Sequence, residues 1–582
     1  MTVLASRTGS WRGRLDPILL TALGIGLLLR LSGIGHSLPH VYNPDEVSIL
    51  SRALGLAGGD LNPHNFLYPS LYFYALAAAV GAYAVVAMAA GQIHALAQFE
   101  AQFWQDPTSV YLAGRLLSVV AGVLTIWAVY RLALRVGDRM LARVAAILMA
   151  VAYVPARDAH FIKHDVPATL LITAAVLASW WVWQRGRTRD YVIAGAWVGL
   201  AFALHYPAVI ASVALVAAHV LRTRRSPLRD LLGPRLWLAG LTSVAVFALC
   251  SPYVLIDFTT ALRDIQANRA IIVERAQQTY GMFGSAIPQF DILRTQGAGL
   301  AWLLATAIGC VALARKSASA FVWLASFPVA FLLFISNTWP FGRTANPLYP
   351  FLAVMGAAGV VWVSRRFGRF AMPALIVVTA VVMAQPLVSA VRFDDLVAQT
   401  DTRTLAMRWI ESHVTAGDGV AVEPYSVQLQ TTREQLTVAL QASGIQPNRI
   451  GRRSRTLLAR SPYPSPAYRL FYIGERGMDE DKIYIPPEAF SRPFYDPTQA
   501  ATCVDYIVLK SDAPRGANPL SPIVARYATL VHTESPFAAD ASPDEGFMPD
   551  FDVKPSFGVE RPGPTIDIWL THQRCRWGAL ER

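Results

Sequence analysis

Apolar segments long enough to cross a lipid bilayer dominate this chain of 582 residues. A helix of about 20 apolar residues rises about 30 Å, which is the thickness of the hydrocarbon core of a membrane. We therefore predict an α-helical polytopic membrane protein with about eleven transmembrane helices. The predicted spans are 16–35, 111–134, 141–156, 166–183, 191–204, 206–221, 236–254, 296–314, 319–337, 347–364 and 371–390.

The composition supports a membrane protein and argues against a nucleic-acid partner. Hydrophobic residues make up 54% of the chain and charged residues 15%, and the mean hydropathy is +0.37. These values are too apolar for a soluble protein of this size. The net charge of +12 comes largely from arginines in short connections between spans, where retention of positive charge on the cytoplasmic side explains them.

The positions of arginine and lysine predict the orientation of the chain in the membrane. The basic connections, which we expect to be cytoplasmic, are the tail with Arg12 and Arg14, the turn from Arg135 to Arg139, the loops 185–189 and 222–235, and the turns at Arg315 and Arg365. The N-terminus is then cytoplasmic, while the loop 36–110 and all residues after 391 lie outside. Short loops and frequent Ala, Gly and Arg suit a bacterial plasma membrane.

One apolar stretch, from Pro69 to Gly91, does not fit this count of spans. It is long enough to cross, but a crossing would reverse every later loop and place the arginine-rich connections outside. We expect a helix or a bent helix pair that lies along the outer leaflet within the loop 36–110. The alternative is a true crossing that a second, unrecognised crossing compensates.

The composition becomes that of a soluble protein from residue 391 onward. We predict a transmembrane domain at 1–390 and a soluble, extracytoplasmic α/β domain at 391–582. The expected elements of the second domain are strands at Gly419–Glu423, Val504–Lys510 and Ile566–Thr571 and a helix at Arg403–His413.

The cysteines differ in their surroundings. Cys503 and Cys575 lie in the predicted external domain, where an oxidising environment allows them to form a disulfide, although free thiols remain an alternative. Cys250 and Cys310 lie within predicted spans and are expected to be packing residues.

Two clusters of acids lie next to predicted spans on the same side of the membrane. Asp45 and Glu46 follow the first span, and Asp165 ends the segment 157–165 before the fourth. A charged Asp costs about 2.5 to 3.5 kcal/mol at the centre of a membrane helix, so acids near spans usually serve a function. A structural alternative is that Asp45 caps a helix that begins near Val47.

Several short motifs, taken in order, resemble those of a known family. They are Pro44-Asp45-Glu46, Tyr68-Pro69-Ser70-Leu71, Arg115-Leu116-Leu117-Ser118, Lys163-His164-Asp165-Val166-Pro167, Ser251-Pro252-Tyr253-Val254-Leu255-Ile256-Asp257, and Arg343 before Pro347-Leu348-Tyr349-Pro350. Over residues 16–365 the chain resembles membrane glycosyltransferases of the GT-C fold. Within that fold it is similar to bacterial relatives of protein O-mannosyltransferases and of the aminoarabinose transferase that acts on lipid A.

The resemblance implies transfer of a sugar from a polyprenyl-phosphate carrier to a hydroxyl of a lipid, glycan or protein acceptor, with inversion at the anomeric carbon. Asp45 matches the acid of the family's first external loop, which implies that it is the general base. Glu46 and Asp165 are further catalytic candidates. Asp165 orients the acceptor, holds Lys163, or joins Asp45 at a divalent cation, and reaction without a metal is the alternative.

The departing lipid phosphate develops negative charge, which fixed cations stabilise. Arg115 and Arg343 are the first candidates, and Lys163, His164, His205 and Tyr253 complete the expected substrate-binding set. The alternatives are that Arg115 extends to the membrane interface and that His205 is a core residue. Relatives often have lysine where this chain has His205, which is only partly charged near neutral pH.

Two other functional classes also place acids and arginines near spans. A transporter or flippase of a lipid-linked sugar predicts broken spans and often inverted repeats, and neither is evident in the sequence. A non-catalytic scaffold with an external binding domain does not require Asp45 and Asp165 to open into the same cavity.

Thiol labelling tests the predicted topology. If Pro69–Gly91 does not cross, a Gln98→Cys variant in intact cells reacts with a membrane-impermeant thiol reagent more strongly than the parent does, because residue 98 is outside. Reaction only after permeabilisation would show that the stretch crosses.

Overall fold

The computed structural model describes residues 16–223, 233–444, 450–475, 479, 481–491, 503–511, 518–539, 541, 548 and 555–572. They form two compact units. The first, here called the helical unit, comprises the described residues within 16–34, 48–80 and 113–391. The second, here called the sheet unit, comprises residues 35–47 and 81–112 together with the described residues from Arg392 onward.

Helices account for most of the described chain up to residue 397. The α-helices are Pro17–Leu31, Pro44–Gly55, Leu71–Ala89, Leu96–Gln105, Thr108–Val136, Arg139–Ala150, Tyr153–Asp158, Asp165–Gln184, Thr188–Leu204, Ser212–Thr223, Pro234–Cys250, Tyr253–Ile256, Phe258–Arg269, Arg275–Tyr280, Ala286–Thr295, Leu300–Lys316, Ala318–Ile335, Tyr349–Arg365 and Ala371–Val397. Short 3-10 turns lie at Leu56–Gly58, Tyr206–Ala211, Gly342–Leu348 and Gly368–Phe370, and a π turn lies at Ala270–Glu274.

The described residues contain seven helical segments that are long and apolar enough to cross a membrane, or eight if one bent pair forms a single span. Two shorter apolar helices, Pro17–Leu31 and Pro234–Cys250, accompany them. The prediction of a multi-pass helical protein is confirmed, while the count of about eleven crossings stays a prediction. Leu71–Ala89 meets the same criteria of length and composition, and its position along the outer leaflet stays a prediction.

Proline and local breaks account for the differences between predicted spans and observed helices. The predicted span 141–156 is interrupted, since one helix ends at Ala150 and the next begins at Tyr153. The span 236–254 breaks after Cys250, because Pro252 disfavours helical backbone before it. The sequence showed no broken span, but the helices Ala286–Thr295 and Leu300–Lys316 form a pair bent by 112°.

Small residues allow two helices of the helical unit to pack very closely. A Cβ atom added at Gly309 would overlap the carbonyl oxygen of Met355, and one added at Gly359 would overlap that of Ala305. The indole Nε1 of Trp302 donates to the carbonyl of Leu352 at 2.9 Å. Leu300–Lys316 and Tyr349–Arg365 therefore approach backbone to backbone, as helices in membranes commonly do.

The sheet unit contains a six-stranded sheet in the order β3-β2-β1-β4-β6-β5. The strands are β1 Gly419–Val422, β2 Arg469–Ile473, β3 Tyr484–Ile485, β4 Tyr506–Ser511, β5 Ala528–Glu534 and β6 Thr565–Thr571. The first four are parallel, and β6 is antiparallel to both β4 and β5. The helices of this part are Thr402–His413, Arg433–Ala442, Arg452–Ala459, Glu488–Ser491 and Ser521–Val524.

Side chains alternate across this sheet, so that apolar residues cover both faces. Val420 packs with Ile410 and Tyr468 on one face, whereas Ala421 packs with Phe471 and others on the opposite face. The predicted α/β class is confirmed, and the predicted strands and helix agree with the structure to within two residues. The sequence analysis did not identify β2, β3 or β5.

The cysteines of the described residues fall into two groups. Cys250 and Cys310 are free thiols, and Cys503 is disulfide-bonded. Cys575, the partner considered for Cys503, lies outside the described residues.

A matched pair of glycine substitutions tests the close helix contact. Gly309→Ala forces a methyl group into the Met355 backbone and lowers stability by about 1 to 3 kcal/mol, the usual effect of overpacking. Gly240→Ala adds the same methyl group where nothing lies within 4 Å, so the higher helix propensity of alanine keeps or raises stability. Thermal unfolding in detergent measures both, and equal melting temperatures would contradict the close contact.

Candidate functional site

The acidic motif begins a helix whose cap is Asn43. The side-chain oxygen of Asn43 accepts hydrogen bonds from the backbone N–H groups of Asp45, at 2.9 Å, and Glu46, at 3.4 Å. Pro44 occupies the first helical position, which suits proline because that position needs no N–H donor. The alternative in which Asp45 caps a helix near Val47 is therefore wrong, because the helix starts at Pro44.

The two acids of this motif differ in exposure. Glu46 is fully buried, with 0% of its surface accessible, whereas Asp45 is partly exposed. A general base must come within hydrogen-bond reach of the hydroxyl that it deprotonates. The geometry therefore favours Asp45 over Glu46 for that role.

Aromatic rings group around the second acidic segment within the helical unit. The ring centroid of His164 lies 4.0 Å from that of Tyr68 and 4.7 Å from that of His205. Tyr72 meets His164 edge to face at 6.4 Å. We call Tyr68, Tyr72, His164 and His205 the histidine cluster.

Charged groups surround the histidine cluster. The Nε2 atom of His164 lies 4.0 Å from the Oδ1 atom of Asp165, and Asp165 begins the helix Asp165–Gln184. The turn Gly342–Leu348, which carries Arg343, packs against the helix that begins at Asp165. The structure thus brings together four residues that the sequence singled out, from three separate parts of the chain.

Arg343 lies in the 3-10 turn Gly342–Leu348. Its guanidinium carbon is 4.9 Å from the centre of the Phe341 ring, and its side chain is half-buried. The carbonyl of Phe341 accepts hydrogen bonds from Thr344 Oγ1, at 2.7 Å, and from Gln289 Nε2, at 3.4 Å. These bonds restrict the backbone on both sides of Arg343.

A buried ion pair connects this turn to the segment before His164. Arg157 Nε donates to Asp158 Oδ1 at 2.7 Å, and Asn346 Nδ2 donates to Asp158 Oδ2 at 2.5 Å. A Cβ atom at Gly342 would lie 3.7 Å from the guanidinium nitrogens of Arg157, so this turn passes next to the arginine. The sequence analysis assigned no role to Arg157. An arginine directly before an aspartate, next to a predicted span, could have indicated a buried ion pair.

The remaining predicted substrate-binding residues have structural contacts. Arg115 is buried within Thr108–Val136, and its Nη1 atom donates to the carbonyl of Ile34 at 2.6 Å, which argues against extension to the membrane interface. Lys163 is buried with its ammonium 5.5 Å from the ring centre of Phe161. Tyr253 packs against an apolar cluster that includes Phe66.

No group of three or more His, Cys, Asp or Glu side chains in the described part of the chain is arranged to hold a metal ion. A divalent cation at Asp45 and Asp165 stays a prediction. Next to the acidic motif, burial and then the positive charge of Arg408 lower the pKa of His40.

Comparison with known proteins identifies the fold. Residues 108–255 match the family model described as dolichyl-phosphate-mannose-protein mannosyltransferase. Two crystal structures of ArnT from Cupriavidus metallidurans, one apo and one bound to undecaprenyl phosphate, are each 12% identical, with 95% of this chain and 97% of that chain covered and a TM-score of 0.51.

The apo oligosaccharyltransferase of Archaeoglobus fulgidus is 13% identical over 85% of this chain and 69% of that chain, with a TM-score of 0.46. A comparison with curated protein sequences found no match. The similarity to ArnT shows that the chain has the GT-C fold. The resemblance that the motifs indicated is thereby confirmed.

Proposed function

We propose that this protein is an inverting glycosyltransferase that moves a sugar from a polyprenyl-phosphate carrier to an acceptor hydroxyl on the outer face of a bacterial plasma membrane. The observation that carries the proposal is the grouping of His205, His164 and Asp165 beside the turn that carries Arg343. The family match over 108–255 and the GT-C fold support the same class of reaction.

The basic residues of the cluster bind the carrier phosphate. A guanidinium keeps its charge at every physiological pH and pairs with two phosphate oxygens at once, so Arg343 supplies the permanent positive charge. The histidine rings add hydrogen-bond donors, and the Asp165 carboxylate lies 4.0 Å from the Nε2 atom of His164. A cation fixed before the reaction stabilises the charge that develops on the leaving phosphate.

Asp45 accepts the proton in this mechanism. The acceptor oxygen attacks the anomeric carbon, its proton passes to the Asp45 carboxylate, and the bond between that carbon and the phosphate oxygen breaks with its electron pair on the phosphate. Attack opposite the leaving group inverts the anomeric configuration. Partial exposure of Asp45 and its fixed position in the first helical turn after Asn43 suit this role.

The second candidate function is transport of a lipid-linked sugar across the membrane. One observation favours it: the bent pair of helices at 286–295 and 300–316, since transporters commonly use broken helices at their binding sites. A transporter moves the intact lipid-linked sugar and has no need of a base, so the substitution of Asp45 separates the two functions.

The first test removes the base. Asp45→Asn keeps the size of the side chain but cannot accept the proton, so turnover falls by roughly 10²- to 10⁴-fold while donor affinity and melting temperature change little. Transfer of radiolabelled sugar by purified protein measures turnover. The matched control is Asp291→Asn, which alters an exposed carboxylate paired with Arg294 and leaves turnover unchanged. An Asp45→Asn variant within a few fold of the parent would exclude Asp45 as the base.

The second test distinguishes a phosphate clamp from a helix anchor at Arg343. Arg343→Ala raises the donor KM by about 10- to 100-fold, because a hydrogen bond to a charged group contributes about 1.5 to 3 kcal/mol. Arg343→Lys also weakens donor use, since lysine lacks the planar pair of donors. Arg526→Ala, in the exposed part of the sheet unit, serves as the control. If Arg343→Lys equals the parent at all donor concentrations, Arg343 only anchors the helix end.

A further inference from the structure

The residues just before the acidic motif form hydrogen bonds and a cation–π contact with other residues of the sheet unit. We call residues 40–43 the anchor segment. The hydroxyl of Tyr42 shares a 2.8 Å hydrogen bond with Thr404 Oγ1, and the carbonyl of Val41 accepts one from Gln428 Nε2 at 2.7 Å. The guanidinium carbon of Arg403 lies 4.0 Å from the centre of the Tyr42 ring. Backbone, ring and hydroxyl of this short segment are thus each held by a different residue.

Two hydrogen bonds to Asp401 hold the Arg403 side chain in place against the ring of Tyr42. Its Nε and Nη2 atoms donate to the two carboxylate oxygens of Asp401, at 2.9 and 2.7 Å. Both side chains are only 1% exposed. A buried guanidinium–carboxylate pair tolerates little displacement, because either charge alone would be strongly destabilising there. The ring stacked on Arg403 therefore has one favoured position.

The anchor segment occupies the edge of the sheet that usually binds ligands. The helix Thr402–His413 leads into β1, so its first residues lie at the carboxyl end of that strand, and Gln428 follows the same end. In the sheet order, β2 lies on one side of β1 and β4 on the other, so the connection reverses direction there. Parallel α/β sheets bind their ligands beside such a reversal. In this protein the anchor segment bonds to two residues near that end of β1, Thr404 and Gln428.

Little conformational freedom separates Tyr42 from Asp45. Pro44 has a fixed φ angle and disfavours helical backbone at Asn43. The Asn43 side chain then bonds to the N–H of Asp45, which fixes the first helical turn. A displacement of Tyr42 consequently displaces the carboxylate of Asp45.

We propose that the sheet unit positions the catalytic base, with Tyr42, Arg403 and Thr404 as the positioning residues that set the location of Asp45. This inference rests on the proposed transferase function and assigns the sheet unit a role in catalysis. It predicts that removing contacts far from the reacting atoms lowers kcat without changing the affinity for the donor.

Two conservative substitutions test the hydrogen bond. Tyr42→Phe keeps the ring on Arg403 but removes the hydroxyl, and Thr404→Val removes its partner at nearly constant volume. Each variant lowers kcat by about 3- to 10-fold, the effect of one lost hydrogen bond, and leaves the donor KM unchanged. Because both remove the same bond, the double variant has the kcat of either single variant. Tyr42→Leu also removes the ring and lowers kcat further.

The control is Tyr468→Phe, which removes a buried hydroxyl that donates to the carbonyl of Ile410 at 3.3 Å in the core of the same unit. This change lowers the melting temperature but not the kcat of the folded protein. If Tyr42→Phe lowers kcat no more than Tyr468→Phe does, or if Tyr42→Phe and Thr404→Val combine multiplicatively, the positioning role is wrong.

Hydrogen exchange over residues 40–47 provides a measurement that does not depend on catalysis. Faster exchange there in Tyr42→Leu than in the parent supports the anchor even if the parent transfers no sugar, in which case only the proposed function fails. Unchanged exchange in Tyr42→Leu overturns the anchor. If Tyr42→Leu does not fold, the same comparison with Tyr42→Phe decides the question.

Discussion

The buried ion pair of Arg157 and Asp158, completed by Asn346, is the interaction on which the candidate site depends. Removing one partner of a buried pair leaves an uncompensated charge and typically costs about 3 to 5 kcal/mol, so the geometry of all three groups is strictly constrained. The pair precedes His164 and Asp165 in the chain, and Asn346 lies in the turn that carries Arg343. Two remote loops are thereby fixed to each other, so that the turn of Arg343 lies next to the segment that leads to His164.

Arginine and histidine have different tasks in this cluster. The ring centroid of His205 lies 4.7 Å from that of His164, and the two rings are tilted to each other. Arg343 carries a charge that does not depend on pH in the physiological range. We infer that a permanent cation at Arg343 permits an aromatic residue without a permanent charge at position 205.

The sequence predicted the features that local patterns encode. Hydropathy located most helices, alternation and β-branched residues located β1, β4 and β6, and the sidedness of loops placed Asp45 and Asp165 on one side of the membrane. It could not show that Asn43 rather than Asp45 is the cap, because both residue types are good N-caps. Nor could it show that Glu46 is buried, that Arg115 binds the carbonyl of Ile34, or that residues 35–47 join the sheet unit. Those facts depend on partners distant in the chain, and no local pattern specifies them.

The most direct test of the phosphate site compares two lipids that differ only in the group it recognises. Undecaprenyl phosphate and undecaprenol would each be added to the protein in lipid nanodiscs, with hydrogen exchange measured over residues 163–168 and 342–348. We expect the phosphate lipid to slow exchange in both segments and undecaprenol to leave them unchanged. Equal protection by both lipids, or protection by the phosphate lipid only outside these segments, would contradict a phosphate site at Arg343 and the histidine cluster.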